Sequence, residues 1–240
     1  MEAGRLFSYK MTHDTGFAPN PFWGYLTLAT CKPRIRETKV PGDWVAGFTS
    51  DKLCGDALGE ERLVFLMQVS EKLPIADYFK DKRFNKKIPS RCTNDHRKIV
   101  GDNIYKPLVE NPRAHDDFVQ VDDYSHGPGE KSYDLSGHYV LIATRFAYFG
   151  SQAIPVPPYV RPDVPHGQTA AGQRTHDQAR VAKFIEFVRK ATSLDAVVAS
   201  PHDWPAKDGS WQGKREKCAV PRWNPVSVPV KPKGTSSGRC

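Results

Sequence analysis

The chain has 240 residues, of which 39% are hydrophobic and 26% charged, and carries a formal net charge of +8. That balance is too apolar for a disordered chain and too polar for a membrane protein, and no run approaches the roughly 20 apolar residues of a spanning helix. The N-terminal stretch MEAGRLFSYKM lacks the apolar segment of a signal peptide, so a cytoplasmic location and no membrane partner are expected.

In chain order, residues 4–11 (GRLFSYKM) read as an extended segment, followed by a loop, THDTGFAPNPF, crowded with turn residues. WGYLTLATCKPRIRETK is rich in Thr, Tyr and Leu and reads as a second strand interrupted at Pro33. A Gly42-Asp43 turn opens the strand DWVAGFTS, and Leu63–Glu71 forms a strand expected beside it. LPIADYFKDKRF has helical spacing and predicts a short helix across the sheet. A second Gly-Asp, in KIVGDNIYKP, precedes a long polar loop with one strand near Phe118 to Val121. HYVLIATRFAYFG reads as a core strand ended by Gly150. Thr175 and Gln178 have capping-box spacing ahead of a helix with Val181, Phe184, Ile185 and Val188 on one face.

These elements predict one α+β domain over 1–200, a bent or barrel-like mixed β-sheet with a few packing helices. Residues 201–240 read as a Pro/Lys-rich basic tail. Between Lys214 and Cys240 stand seven Lys/Arg and one Glu. Excess positive charge of this kind attracts polyanions. Lys214, Arg215 and Lys217 are therefore expected to touch nucleic acid.

The sequence has no GxGxxG, GxxxxGK[ST], HExxH or GxSxG motif, which leaves no sequence-readable cofactor site, and no cofactor is expected. The five cysteines (Cys31, Cys54, Cys92, Cys218, Cys240) include no CxxC pair, so reduced thiols are expected. No metal is assigned. Cys92 and His96 lack a second ligand pair, and Asp116, Asp117, Asp122, Asp123 and His126 read as a solvated acidic loop rather than a ligand set.

The densest local chemistry is SYKMTHDTGFAPNPFWG, which sets Lys10, His13, Asp14, Thr15 and Asn20 beside Phe17, Phe22 and Trp23. A pocket for a planar polar ligand needs both kinds of residue, aromatic faces to stack and polar groups to read edges. The structural reading of the same residues is a capped turn whose aromatics enter the core.

The ordered motifs YKMTHDTGFAPNPFWGYLTLATCKPRIR, GDWVAGF, MQVSEKLPIADYFKDKRF and GDNIYKP resemble the second of the nucleotide-modification-associated domain families, over roughly 7–150. That family is associated with systems that make, recognise or process modified bases. The Gly-Asp turn and the strand after it are also similar to the core of PUA, ASCH and EVE domains, which hold a nucleobase in a partly open barrel. The resemblance implies that the first loop and the two Gly-Asp turns converge. Asp14 and Asn20 would then read a base edge, Trp23 or Trp44 would stack on it, Lys10, Lys32, Arg34 and Arg36 would hold phosphate, and Thr15, Asp43, Asn103 and Tyr105 would line the same ligand site. Trp44 suits the core equally well, and Arg34 and Arg36 suit a solvated strand face.

Recognition of a nucleotide or modified base, in DNA for preference, is the expected function. One alternative is an enzyme acting on a base or nucleotide, with Asp14 and His13 as acid or base and Cys31 as nucleophile. Another is a protein-interaction module with a basic tail.

Overall fold

The computed structural model describes residues 4–204. In chain order the strands and helices are β1 (Leu6–Lys10), β2 (Leu26–Leu28), α1 (Pro33–Thr38), β3 (Trp44–Phe48), α2 (Asp51–Cys54), β4 (Leu63–Gln68), β5 (Glu71–Pro74), α3 (Ile75–Lys80) and α4 (His96–Ile99). There follow β6 (Tyr105–Pro107), β7 (Phe118–Gln120), α5 (Lys131–Leu135), β8 (Tyr139–Ala143), β9 (Arg145–Tyr148), β10 (Gln173–Thr175), α6 (Gln178–Ala191) and β11 (Ala196–Val197). The expected mixed α+β architecture is present. No helix among the described residues is long and apolar enough to cross a membrane.

Six strands form one sheet in the order β10-β1-β3-β4-β9-β11, and a second sheet runs β2-β8-β5. β4 pairs antiparallel with β9, and β5 with β8. The two pairs are consecutive stretches of one long ribbon that bends at Ser70 and Thr144, whose hydroxyls lie 3.2 Å apart. The sheet is thus bent but keeps two edges, and it does not close into a barrel. HYVLIATRFAYFG is correspondingly two strands, one in each sheet. Its continuous apolarity comes from lining two cores in succession: Val140 and Ile142 pack in one and Phe146 and Tyr148 in another.

A core of Tyr9, Met11, Leu26, Leu28, Ile35, Phe65, Phe146 and Tyr148 fills the space between the sheets. On the outer face of the large sheet, α6 buries Val181, Phe184 and Val188 against Leu6, Trp44 and Phe48. Its N-cap is Asp177, which accepts from the Arg180 amide, rather than Thr175. Thr175 lies in β10 opposite Leu6 and accepts from the Asp163 amide, because closing the sheet edge takes that residue before the helix begins.

The segment after Trp23 departs most from expectation. Only Leu26–Leu28 is strand. The chain then takes left-handed backbone at Cys31 (φ 52°) and Lys32 (φ 39°) and enters α1 with Pro33 in its first turn. Proline is pre-shaped for that helical position, so the residue read as a strand breaker is a helix starter. Arg34 is exposed, whereas Arg36 is wholly buried, so the expected alternating solvated face is absent. Gly137 permits the approach of α1 to the turn before β8, since a Cβ there would lie 2.7 Å from the Pro33 backbone.

Candidate active site

Two left-handed residues in succession, neither of them glycine, are strained by roughly 1–3 kcal/mol each. The conformation at Cys31 is held from both sides. The Cys31 amide donates to Asp134 Oδ1 at 2.7 Å, and Arg36 Nε donates to the Cys31 carbonyl at 2.8 Å. Arg36 also donates to the carbonyls of Gly137 at 2.6 Å, Tyr139 at 2.8 Å and Asp134. Burial lowers the pKa of this guanidinium, and the neighbouring Asp134 and Cys31 act in the opposite direction. Four carbonyls around one cation fix α1, α5 and the start of β8 together.

Against this frame the Cys31 thiol meets His126. Sγ lies 3.2 Å from His126 Nε2, and His126 Nδ1 lies 2.7 Å from Asp134 Oδ2. Tyr105 adds its hydroxyl to the same carboxylate oxygen at 2.7 Å. Burial and Asp134 push the Tyr105 hydroxyl well above its ordinary pKa, so it stays a donor. With the carboxylate accepting at Nδ1, the imidazole carries its proton there and turns an acceptor lone pair toward the thiol. Phe17 packs on the imidazole with ring centroids 4.8 Å apart. Cys31, His126 and Asp134 are all buried, at 5%, 5% and 0% exposure.

The three ligand atoms lie within 4.8 Å of one another, so a metal ion is the competing account. Thiol and carboxylate contact different nitrogens of the same ring, Sγ at Nε2 and Asp134 Oδ2 at Nδ1, while Asp134 Oδ1 also reaches the Cys31 amide. Thiol, imidazole and carboxylate in successive contact are also the set of groups a catalytic triad uses, in which the base takes the thiol proton and the acid sets the imidazole tautomer.

The other nominated residues fall into separate places. The first loop and the second Gly-Asp turn do converge. Asn20 Nδ2 donates to the Val100 carbonyl at 3.0 Å, and Lys87 Nζ donates to Asn20 Oδ1 at 2.7 Å. Thr27 and Tyr78 donate to Asp102 at 2.5 and 2.7 Å. Asn103 donates to the carbonyls of Tyr78 and Phe84. Every one of these side chains is occupied with the chain itself. The first Gly-Asp turn stands apart, with Asp43 paired to Arg5 at 2.6 Å and accepting from the Val40 amide.

Asp14 is buried and accepts from Tyr148 and from the His202 amide at 2.9 Å, while its own amide donates to Asp203 at 2.8 Å. Burial raises its pKa to about 6. Trp204 donates from Nε1 to the Thr15 carbonyl at 2.6 Å, so residues 201–204 remain packed on the first loop. His13 is exposed and sits 3.8 Å from Asp203. Lys10 pairs with Glu61 at 2.5 Å, and Lys32 donates to Gln168 at 2.9 Å. Trp44 is buried in the core beneath α6, with Arg145 over its face. Trp23 has left-handed backbone (φ 66°), and Arg97 and Lys86 lie over its ring. Lys214, Arg215 and Lys217 lie outside the described residues.

In the acidic loop Asp117 accepts from the Arg113 and Ala114 amides, and Asp122 pairs with Arg91. Among the described residues one surface groove is lined by Arg161, His166, Thr169 and Arg180, and another by Phe22, Trp23, Arg97 and Trp204. Neither of these two grooves includes Cys31, His126 or Asp134.

Of the residues nominated from sequence, Cys31 and Tyr105 enter this cluster. Nothing local in the sequence marks Asp134 or the bracing role of Arg36, and His126 stands there only as a member of the acidic loop. Their signal is weak because Cys31 is 95 residues from His126 and 103 from Asp134.

The model of the family nucleotide modification associated domain 2 matches residues 3–208. The chain belongs to that family, a domain associated with nucleotide-modification systems. No curated protein and no solved structure matches.

Proposed function

We propose that this domain is an enzyme of a nucleotide- or DNA-modification system in which Cys31 is the nucleophile, His126 the general base and acid, and Asp134 the group that orients the imidazole. The observation that carries this reading is the continuous Cys31–His126–Asp134 chain, with contacts of 3.2 and 2.7 Å, built on strained backbone. Strain of this kind persists where the surroundings enforce it and concentrates at functional sites. Family membership supplies the substrate field: a nucleotide, a base in DNA, or a group being attached to one.

The test is incubation of the full chain with free nucleotides and short DNA carrying normal and modified bases, followed by mass spectrometry. A product formed by the native chain and lost in Cys31→Ala supports the enzyme. A product formed equally by Cys31→Ala removes Cys31 from the chemistry.

A second reading, recognition without turnover, draws on the groove where Trp23, Phe22 and Trp204 meet Arg97, since aromatic faces beside cations suit a stacked base and its phosphate. In that case ligand binds with unchanged mass, Trp23→Ala abolishes binding and Cys31→Ala does not. A nucleotide or nucleic acid is the partner in both readings, and on nucleic acid the basic tail adds sequence-independent affinity. Deleting 213–240 then flattens the salt dependence of DNA binding.

A further inference from the structure

We infer that Gln120 is a positioning residue of the Cys31 site, acting through the main chain of His126, and that the ribbon of β6 and β7 holds the base and the acid of the triad together. The inference rests on Cys31 as nucleophile with His126 as its base, and adds what sets the distance between them.

Nucleophile and acid share a frame of their own. Arg36 donates to the carbonyls of Cys31, Asp134 and Gly137, and the Cys31 amide donates to Asp134, which ties α1, α5 and the turn before β8 to one another. His126 comes from elsewhere. It lies in the stretch 121–127, which is neither helix nor strand, between β7 and the turn at Pro128–Glu130. Its ring meets Cys31, Asp134 and Phe17. A base that must stay within reach of a thiol also needs its main chain placed.

Gln120, the last residue of β7, places it. Its Nε2 donates to the His126 carbonyl at 2.6 Å and to the Asp122 carbonyl at 3.0 Å, so one amide group closes the loop between those residues. Both acceptors are carbonyls, so the nitrogen of the amide and not its oxygen must face them. The far side of the loop is fastened as well, since Asp122 pairs with Arg91 and accepts from the Tyr124 amide at 3.1 Å. Gln120 Oε1, by contrast, is buried with no hydrogen-bond partner among the described residues. An unpaired buried acceptor is destabilising. The side chain thus forgoes part of its own hydrogen bonding while it holds His126.

The opposite strand supplies a second hold. Tyr105 and Gln120 are directly paired across the antiparallel ribbon, and residues so paired project from the same face. Tyr105 donates to Asp134 Oδ2, the oxygen that meets His126 Nδ1. One cross-strand pair therefore grips both groups, the acid by its side chain and the base by its main chain. The ribbon is itself anchored: the Val121 amide donates to the Ile104 carbonyl at 2.8 Å, and Asn103 donates to the carbonyls of Tyr78 and Phe84. Through Gln120, His126 takes its position from the buried body of the domain rather than from the loop that carries it. A displacement of about 1 Å in a reacting group costs up to roughly 10²-fold in rate.

The experiment follows iodoacetamide alkylation of Cys31 against pH in the full chain, by peptide mass spectrometry, in Gln120→Met and Gln120→Lys. Methionine keeps the shape and removes the donors, and lysine returns donors to the same two carbonyls. Gln120 is only partly buried, so both variants are expected to keep native circular dichroism. Gln120→Met should slow alkylation at neutral pH by roughly 10²-fold and move the midpoint of the pH profile up toward that of a free thiol, about 8.5. Gln120→Lys should keep the native midpoint. A proton–nitrogen correlation spectrum of the imidazoles, with His126 assigned by its loss in His126→Gln, gives a reading that does not require Cys31 to react. The native chain and Gln120→Lys should share one His126 signal, protonated at Nδ1, and Gln120→Met should shift or broaden it. An unchanged midpoint with an unchanged His126 signal in Gln120→Met overturns the inference, and so does equal loss in both variants. If Cys31 is inert in the native chain while the His126 signal still moves in Gln120→Met alone, the nucleophile reading fails and the hold of Gln120 on His126 stands.

Discussion

Two buried aspartates with similar first contacts do different work in this domain. Asp102 accepts from Tyr78 at 2.7 Å and Thr27 at 2.5 Å, and Asp134 accepts from Tyr105 at 2.7 Å and the Cys31 amide at 2.7 Å. Burial raises the pKa of Asp102 against the lowering pull of Lys87. Around Asp102 the network ends on the chain itself, since Lys87 reaches the carbonyls of Asn20 and Tyr25, both at 3.0 Å. Around Asp134 it runs through an imidazole and ends on a thiol whose backbone is left-handed. A buried carboxylate is therefore no mark of function; what stands at the far end of its network is.

The sharpest way to separate the two is to neutralise each carboxylate. Asp134→Asn leaves Tyr105 and Arg36 in place but removes the group that sets the His126 tautomer. The expected loss of turnover is on the order of 10⁴-fold, with native circular dichroism and little change in substrate binding. Asp102→Ala strands the buried Thr27 and Tyr78 hydroxyls without their acceptor and removes the negative charge nearest the buried Lys87 ammonium. It should cost about 3–5 kcal/mol in denaturant unfolding, while the alkylation rate of Cys31 in the remaining folded protein stays near native. If both variants lost stability and spared reactivity, the distinction between rivet and triad would collapse.

A smaller effect is expected at Asp14, whose pKa burial raises to about 6. A carboxyl with a raised folded pKa binds its proton more tightly in the folded state. Its contribution therefore favours folding at low pH and falls away as pH rises from about 4 to about 6, by roughly 3 kcal/mol at most. Asp14→Asn should remove that slope from the stability profile. A wild-type profile that rises through this window, with the variant sharing the rise, would contradict the assignment.

How much of this was legible in the sequence follows from the range of each interaction. β1, β3, β4 and α6 announce themselves through local pattern, and each lies close to where alternation or helical spacing places it. The Cys31 turn does not. Thr, Leu and Tyr around it favour a strand, and Arg36, which local pattern sends to solvent, is buried because it satisfies carbonyls in α5 and the turn after it. The first loop was legible as a dense polar segment, but its polar groups are dense because they tie down 100–104 and 202–204. The partners that surround Cys31 are set by tertiary contacts across about half the described chain, which no local motif encodes.

The most direct test of the central claim is the rate of iodoacetamide alkylation at Cys31, compared with exposed Cys92, in the native chain and in His126→Gln. The account predicts that Cys31, although buried, reacts faster than Cys92 at neutral pH and loses that advantage in His126→Gln. Protection of Cys31 in the folded protein, with reaction only on unfolding, would make it a structural thiol and contradict the account.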